Sequence, residues 1–121
     1  MKEIICDNSR AQRCGFPEFI YGDGKSFPQL CEAVREIRKS GEPVLVTRIN
    51  KEFGEKLAKE FKDGIVYENA RCFTINAKKI KDKKGLVSIV TAGTCDLPVA
   101  YEAALTLSVC GYKYELVADV G

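Results

Sequence analysis

Residues 91–96 read TAGTCD, and they combine residue types that can hold an anion at the start of a helix. Gly93 permits close approach of the backbone, Thr94 offers a hydroxyl group, and the free amides of a helix start carry about half a positive charge. This combination suits a phosphate or a developing carboxylate. Asp96 is either the N-cap of the helix or a ligand contact, which would coordinate Mg²⁺ or hydrogen-bond to a ribose hydroxyl. Cys95 is either a thiol activated by the helix start or, as we favour, a small residue in a tight turn.

Four arginines are candidate partners for the same kind of anion. Arg48 interrupts the apolar run of residues 43–49, and a guanidinium in buried surroundings requires an anion from the protein or from a ligand. Arg71 begins another strand-like segment and is a second candidate. Arg10 and Arg13 stand three residues apart before Gly and Pro and could form a fork for phosphate or carboxylate, although exposed arginines are common.

The segment GDGKS at residues 22–26 is similar to a phosphate-binding loop, but Phe19 stands where that motif requires glycine. The loop is therefore too short for two phosphates, which excludes ATP hydrolysis of this type. Lys25 and the following helix start could still hold one phosphate or carboxylate. The alternative, which explains most of the segment, is a glycine turn with a capping box formed by Ser26 and Gln29.

Composition limits the chemistry further. The chain has no histidine, and its six cysteines form no C-x-x-C pair, so we expect no zinc site. Without an export signal we expect reduced thiols, and we expect no flavin. Catalysis would have to use carboxylates, lysines, a thiol or the substrate itself. The basic run of residues 78–84 is short and lacks aromatic residues, so we do not expect nucleic-acid binding. No apolar stretch is long enough to cross a membrane and no secretory pattern is present, so we expect a cytoplasmic protein.

These residues must be positioned by alternating strands and helices. The predicted strands are residues 18–21, 43–49, 65–67, 71–75, 86–91 and 114–120. The predicted helices begin at caps Ser26, Asn50 and Asp96 and end at Gly41, Asp63-Gly64 and Gly111. The last helix is apolar over most of its surface, which predicts deep packing. The alternation indicates an α/β fold with a mostly parallel sheet and flanking helices.

Sheets of this kind bind ligands at the carboxyl ends of their strands. Three predicted strand ends are polar, namely residues 47–48, 91–96 and 119–121. They belong to different strands, so their convergence on one site is a hypothesis about strand order.

Several segments together resemble one family. Residues 91–103, TAGTCDLPVAYEA, resemble the TAGTSDLPVAxEA signature of LarB proteins, with Cys95 where the family usually has serine. Further matches are residues 10–18 to RxxRxGFPE, residues 21–26 to the GEGK[ST] region, residues 46–48 to VTR, residues 70–71 to AR and residues 119–121 to DVG. Several motifs in the same order make a chance match implausible.

The resemblance implies an amino-terminal α/β domain at residues 1–84, followed at residues 85–121 by the first βαβ unit of a PurE-like, flavodoxin/Rossmann-type carboxylase domain. The family converts nicotinic acid adenine dinucleotide, CO₂ or bicarbonate, and water to pyridinium-3,5-biscarboxylic acid mononucleotide and AMP, and requires Mg²⁺. By resemblance to PurE, residues 93–96 contact the nucleotide. The family's catalytic cysteine lies in a region after the DVG motif. We therefore expect this chain alone to be inactive, and assign no catalytic residue.

Two alternatives remain open at this stage. The chain could be a non-catalytic module that binds nicotinate nucleotides or AMP. It could also be an assembly element, because the last predicted strand offers a sheet edge for a homodimer or a larger homo-oligomer.

Overall fold

The computed structural model describes residues 18–77, 85–93 and 96–118. The described strands are β1 (Ile20–Tyr21), β2 (Val44–Thr47), β3 (Gly64–Tyr67), β4 (Cys72–Ile75), β5 (Leu86–Val90) and β6 (Lys113–Val117). The described helices are α1 (Phe27–Lys39), α2 (Lys51–Glu60) and α3 (Leu97–Val109). Every element predicted from the sequence is present, and the α/β class is confirmed.

Strands β1 to β4 form one sheet in the order β1-β2-β4-β3. Strands β1 and β2 pair in parallel, while β4 is antiparallel to both β2 and β3. Three of the four strands therefore run in one direction, as the mostly parallel prediction requires, and β4 is reversed. The reason is local: only residues 68–71 connect β3 to β4, whereas a parallel connection needs about a dozen residues or more.

The first two helices begin with the side-chain caps that the sequence predicts. The Ser26 hydroxyl accepts from the Gln29 amide, and the Gln29 side chain accepts from the Ser26 amide, which completes the capping box of α1. At α2 the Asn50 side chain accepts from the Phe53 amide at 2.8 Å. Each cap of this kind stabilises its helix by about 1 kcal/mol.

The first sheet is covered on both faces. Helices α1 and α2 cover one face, in a cluster that includes Val44, Val46 and Phe73. On the opposite face Leu45 packs with Val109 of α3. This two-sided burial explains why β2 is apolar without alternation, as predicted for a strand buried on both faces.

Strands β5 and β6 pair in parallel and are connected by α3, so the three elements form the predicted βαβ unit. The prediction of deep packing for α3 is wrong in the described structure. Ala100, Ala104 and Val109 are buried, but Val99 is 52% exposed. The helix contacts β2 of the first sheet as well as β5 and β6, and these contacts leave part of its apolar surface exposed. None of the described helices is both long enough and apolar enough to span a membrane.

The first prediction concerns Gly64, where β3 begins. A Cβ atom at this position would overlap the ring of Phe73, which is fully buried. We expect Gly64→Ala to lower the free energy of unfolding by about 1–3 kcal/mol, the usual range for overpacking. Urea denaturation followed by circular dichroism measures this change.

Gly93→Ala is the matched control, because a Cβ atom there meets no described atom within 4 Å. We expect that variant to change the free energy of unfolding by less than about 0.5 kcal/mol. Equal effects at the two glycines would contradict the packing argument.

Candidate functional site

A cleft of about 640 Å³ lies at the edge where β1, β2 and β3 end. Three segments line it: Asp23 after β1, residues 48–51 after β2, and residues 66–68 and 71–72 around the turn from β3 to β4. This is the carboxyl edge of the three strands that share a direction, which is where the sequence argument expected a ligand. We call this space the cationic cleft.

Arg48 and Arg71 both line the cationic cleft, and both have left-handed backbones, with φ of 56° and 55°. This conformation costs a non-glycine residue about 1–2 kcal/mol. The amide of Ile49 donates to the carbonyl of Arg71 at 3.0 Å, so the two segments are held side by side. Two sequence-predicted arginines, 23 positions apart, are thus brought into one cleft.

Arg48 has a protein partner that the sequence did not reveal. Its Nε donates to Oε2 of Glu102 on α3 at 3.0 Å. The side chain of Arg48 is 40% exposed, so it is less buried than its apolar neighbours in the sequence suggested. Neither of its Nη atoms has a partner among the described residues, and the same holds for the whole guanidinium of Arg71. These donors are available to an anion in the cleft.

Helix α2 starts at the same cleft. Its cap Asn50 and its first residue Lys51 line the space, so the positive end of the helix dipole lies beside the arginines. The charged lining residues are the cations Arg48, Lys51 and Arg71 and the anions Asp23 and Glu68. The arrangement can therefore hold a phosphate or carboxylate by charge and by donated hydrogen bonds.

The contacts of residues 22–26, which follow β1, hold the backbone of this turn in place. The Gly22 amide donates to the Thr47 carbonyl at 2.7 Å, and a Cβ atom on Gly22 would also lie 2.7 Å from that oxygen. Lys25 Nζ donates to the Tyr21 carbonyl, so this ammonium is engaged by the backbone of its own turn. The glycine turn with a capping box accounts for the observed contacts of the segment. Only Asp23 of this turn lines the cationic cleft.

The loop before α3 is described in part. Gly93 and Asp96 do not line the cationic cleft. Asp96 occupies the N-cap position, but its side chain makes no capping hydrogen bond, which corrects the expected side-chain cap. The hydroxyl of Thr91 donates to the Gly93 carbonyl at 3.0 Å and ties the loop back to the end of β5.

Several predicted site residues lie outside the described part of the chain. These are Arg10, Arg13, Thr94 and Cys95. The basic run of residues 78–84 and the polar segment 119–121 also lie outside it. Their roles stay predictions.

Among the described thiols, the one that lines the cationic cleft is unsuited to nucleophilic chemistry. Cys72 is buried, and its Sγ donates to the Ala70 carbonyl at 3.1 Å. Burial, and secondarily the charge of Glu102, raises the pKa of Cys72 to about 12. Burial also raises the pKa of Cys31 on α1. At neutral pH both groups are thiols, and neither is the thiolate that attack would need.

The described residues contain no group of three or more Cys, Asp or Glu side chains placed to hold a metal ion. Two carboxylates, Asp23 and Glu68, nevertheless line the cationic cleft. Mg²⁺ commonly binds through one or two carboxylates together with the phosphates of a ligand. The donor set therefore fits Mg²⁺ only in the presence of a phosphorylated ligand.

The chain matches known proteins over nearly its whole length. Residues 2–78 match the family described as the LarB/PurE-like N-terminal domain. The chain is also 36% identical, over 128 aligned residues, to an uncharacterized protein from Methanocaldococcus jannaschii. That alignment covers 99% of this chain and 49% of the relative, so the chain spans about half the length of the curated protein it matches.

The second prediction follows from the raised pKa of Cys72. Below pH 9.0, its ordinary pKa, folded and unfolded chains both keep the thiol proton. Above that pH the unfolded chain loses the proton while the folded chain retains it up to about pH 12. Stability is therefore lost as the pH rises, and we expect the free energy of unfolding to fall by about 1 kcal/mol between about pH 9 and 10 through this group.

Urea denaturation across this pH range, in reducing buffer, measures the effect against Cys72→Ala as the matched control. The variant lacks the titrating thiol, so its stability should decline less steeply than that of the wild type. Parallel pH profiles would show that Cys72 titrates normally in the folded protein.

Proposed function

Because the chain belongs to the LarB/PurE-like N-terminal domain family, we propose that it forms the amino-terminal part of a LarB-type carboxylase/hydrolase and binds that enzyme's anionic nucleotide substrate. The proposed substrate is nicotinic acid adenine dinucleotide. With CO₂ or bicarbonate and water, it would yield pyridinium-3,5-biscarboxylic acid mononucleotide and AMP.

The observation that carries the proposal is the cationic cleft. Arg71 and the Nη groups of Arg48 offer hydrogen-bond donors without a described partner, beside the start of α2. The dinucleotide carries two bridging phosphates and a nicotinate carboxylate, all of which are acceptors for such donors. Guanidinium groups bind these planar or tetrahedral anions through paired hydrogen bonds, which fix orientation as well as affinity.

The roles that we assign to the described residues are binding and orientation. Arg71 would neutralise phosphate charge directly, while Glu102 holds Nε of Arg48 and directs its remaining donors. Mg²⁺, where the reaction requires it, would be shared between ligand phosphates and the carboxylates of Asp23 and Glu68. The ion would supply charge neutralisation of the phosphoanhydride. The loop of residues 93–96 is proposed as a further nucleotide contact.

A second candidate is a non-catalytic module that binds the same nucleotides. It is favoured by the state of the described thiols near the site, since Cys72 stays protonated at neutral pH. The two candidates share the cleft and differ in whether bound substrate is consumed. For either one, the sheet formed by β5 and β6, which exposes Leu86, Val90 and Val117, is a proposed region of homo-oligomer assembly.

The third prediction tests binding. Isothermal titration calorimetry of the 121-residue chain with nicotinic acid adenine dinucleotide should give micromolar affinity. Arg71→Ala removes charge-assisted hydrogen bonds, so we expect the dissociation constant to rise about 10-fold to 100-fold.

Lys59→Ala is the matched control, because it removes one positive charge from an exposed position at the far end of α2. That variant should bind like the wild type. If Arg71→Ala and Lys59→Ala weaken binding equally, the effect is one of net charge and the cleft is not the site.

The fourth prediction separates binding from turnover. We expect the chain, incubated with nicotinic acid adenine dinucleotide, bicarbonate and Mg²⁺, to bind the dinucleotide without consuming it. Mass spectrometry of the reaction mixture measures both the dinucleotide and AMP. Appearance of AMP together with the biscarboxylated mononucleotide would contradict the assignment of binding alone to this chain.

A further inference from the structure

A second cavity, of about 550 Å³, adjoins the cationic cleft. Both spaces are lined by Val66, Tyr67 and Glu68, so they meet along the end of β3. We call the second cavity the tyrosine groove, because Tyr67, Tyr101 and Tyr114 line it. Each space by itself falls in the range of small-molecule sites, about 300–1,000 Å³.

The three tyrosines of the groove come from three different elements: β3, α3 and β6. Tyr67 and Tyr114 are 37% and 43% exposed, and no aromatic pair found in the described structure includes any of the three rings. The exposed rings of Tyr67 and Tyr114 are therefore available for stacking, whereas Tyr101 is half-buried and packs against the cluster that contains Leu45 and Val109. A planar ring system is the ligand group that gains most from such faces.

The chemistry of the groove differs from that of the cleft beside it. Glu68, at the shared boundary, is the one charged residue among the described residues that line the groove, and none of these described residues is a cation. The remaining polar lining groups include the amide of Asn69 and the hydroxyl of Ser108, which can donate to and accept from the edge of a base. The groove therefore suits a neutral heteroaromatic ring rather than an anion.

We propose that the tyrosine groove receives the adenine of a nucleotide whose phosphate occupies the cationic cleft, an inference that rests on the function proposed above. The nicotinate ring is the less suitable occupant, because its carboxylate would lie near Glu68 and the described lining residues include no cation to balance it. The adenine is neutral, and its edge presents both donors and acceptors. The bound nucleotide thus extends from the cleft, which holds its phosphate, past Tyr67 and Glu68 to the groove, which holds its base.

The experiment compares AMP with ribose 5-phosphate, which keeps the phosphate and sugar and lacks the base. Calorimetry with the wild-type chain should show AMP binding about tenfold more tightly, because stacking of one base contributes an effect of that order. Tyr114→Leu should remove most of this difference while leaving ribose 5-phosphate binding unchanged, because Tyr114 is exposed and lines only the groove. Tyr21→Leu is the matched control, since Tyr21 is exposed and lines neither space.

The same titrations separate failure of this inference from failure of the proposed function. If ribose 5-phosphate binds in an Arg71-dependent manner but AMP binds no tighter, the cleft stands and the groove assignment is overturned. If neither ligand binds, or if Arg71→Ala changes nothing, the proposed function fails. The groove assignment then fails with it, because it assumes a phosphate bound in the cationic cleft. If nicotinate mononucleotide binds more tightly than AMP and depends on Tyr114, the groove holds the pyridine ring and the adenine assignment is wrong.

Discussion

The site depends on one backbone hydrogen bond, from the amide of Ile49 to the carbonyl of Arg71. It joins the end of β2 to the start of β4 at the point where Arg48 and Arg71 both adopt left-handed conformations. Each of these conformations is unfavourable for a side chain with a Cβ atom, and the buried β2–β4 pairing beneath offsets the strain. Asn or Gly would fit the backbone better. The presence of arginine at both positions indicates that the strain is tolerated because the guanidinium groups are needed there, and not because the turns require arginine.

The sequence predicted the features that depend on neighbours along the chain. Ser26 and Asn50 cap their helices because capping joins residues three apart, and that spacing is visible in the sequence. The pairing of Arg48 with Glu102 was not predictable in this way, because it joins residues 54 positions apart. Burial of α3 was overestimated for a related reason. Apolar composition shows that a surface can be buried, but only the arrangement of neighbouring elements determines how much of it is.

Polar residues at strand ends indicated some of the residues that line the cationic cleft, but not all of them. The prediction that ligands bind at the carboxyl edge led to Arg48, and the structure adds Lys51 and Tyr67, which no motif identified, and Asp23, which lies in the GDGKS segment. These three lie at the start of α2, at the end of β3 and after β1, and strand order decides which strand ends meet. The order β1-β2-β4-β3, with β4 inserted in reverse, brings the turn after β3 beside the turn after β2.

Helix α3 links the two sheets, lines the tyrosine groove and pairs with one arginine of the cationic cleft. Val109 packs under Leu45 of the first sheet, and Tyr101 packs against the same cluster, so the βαβ unit is fixed against β2. On one side of this contact Glu102 reaches Arg48 in the cationic cleft, and on the other Tyr101 lines the tyrosine groove. The ion pair is partly exposed and contributes about 0–1 kcal/mol, too little to determine the packing. The ion pair instead holds the Nε edge of the Arg48 guanidinium. The remaining Nη donors are then already oriented when an anion binds.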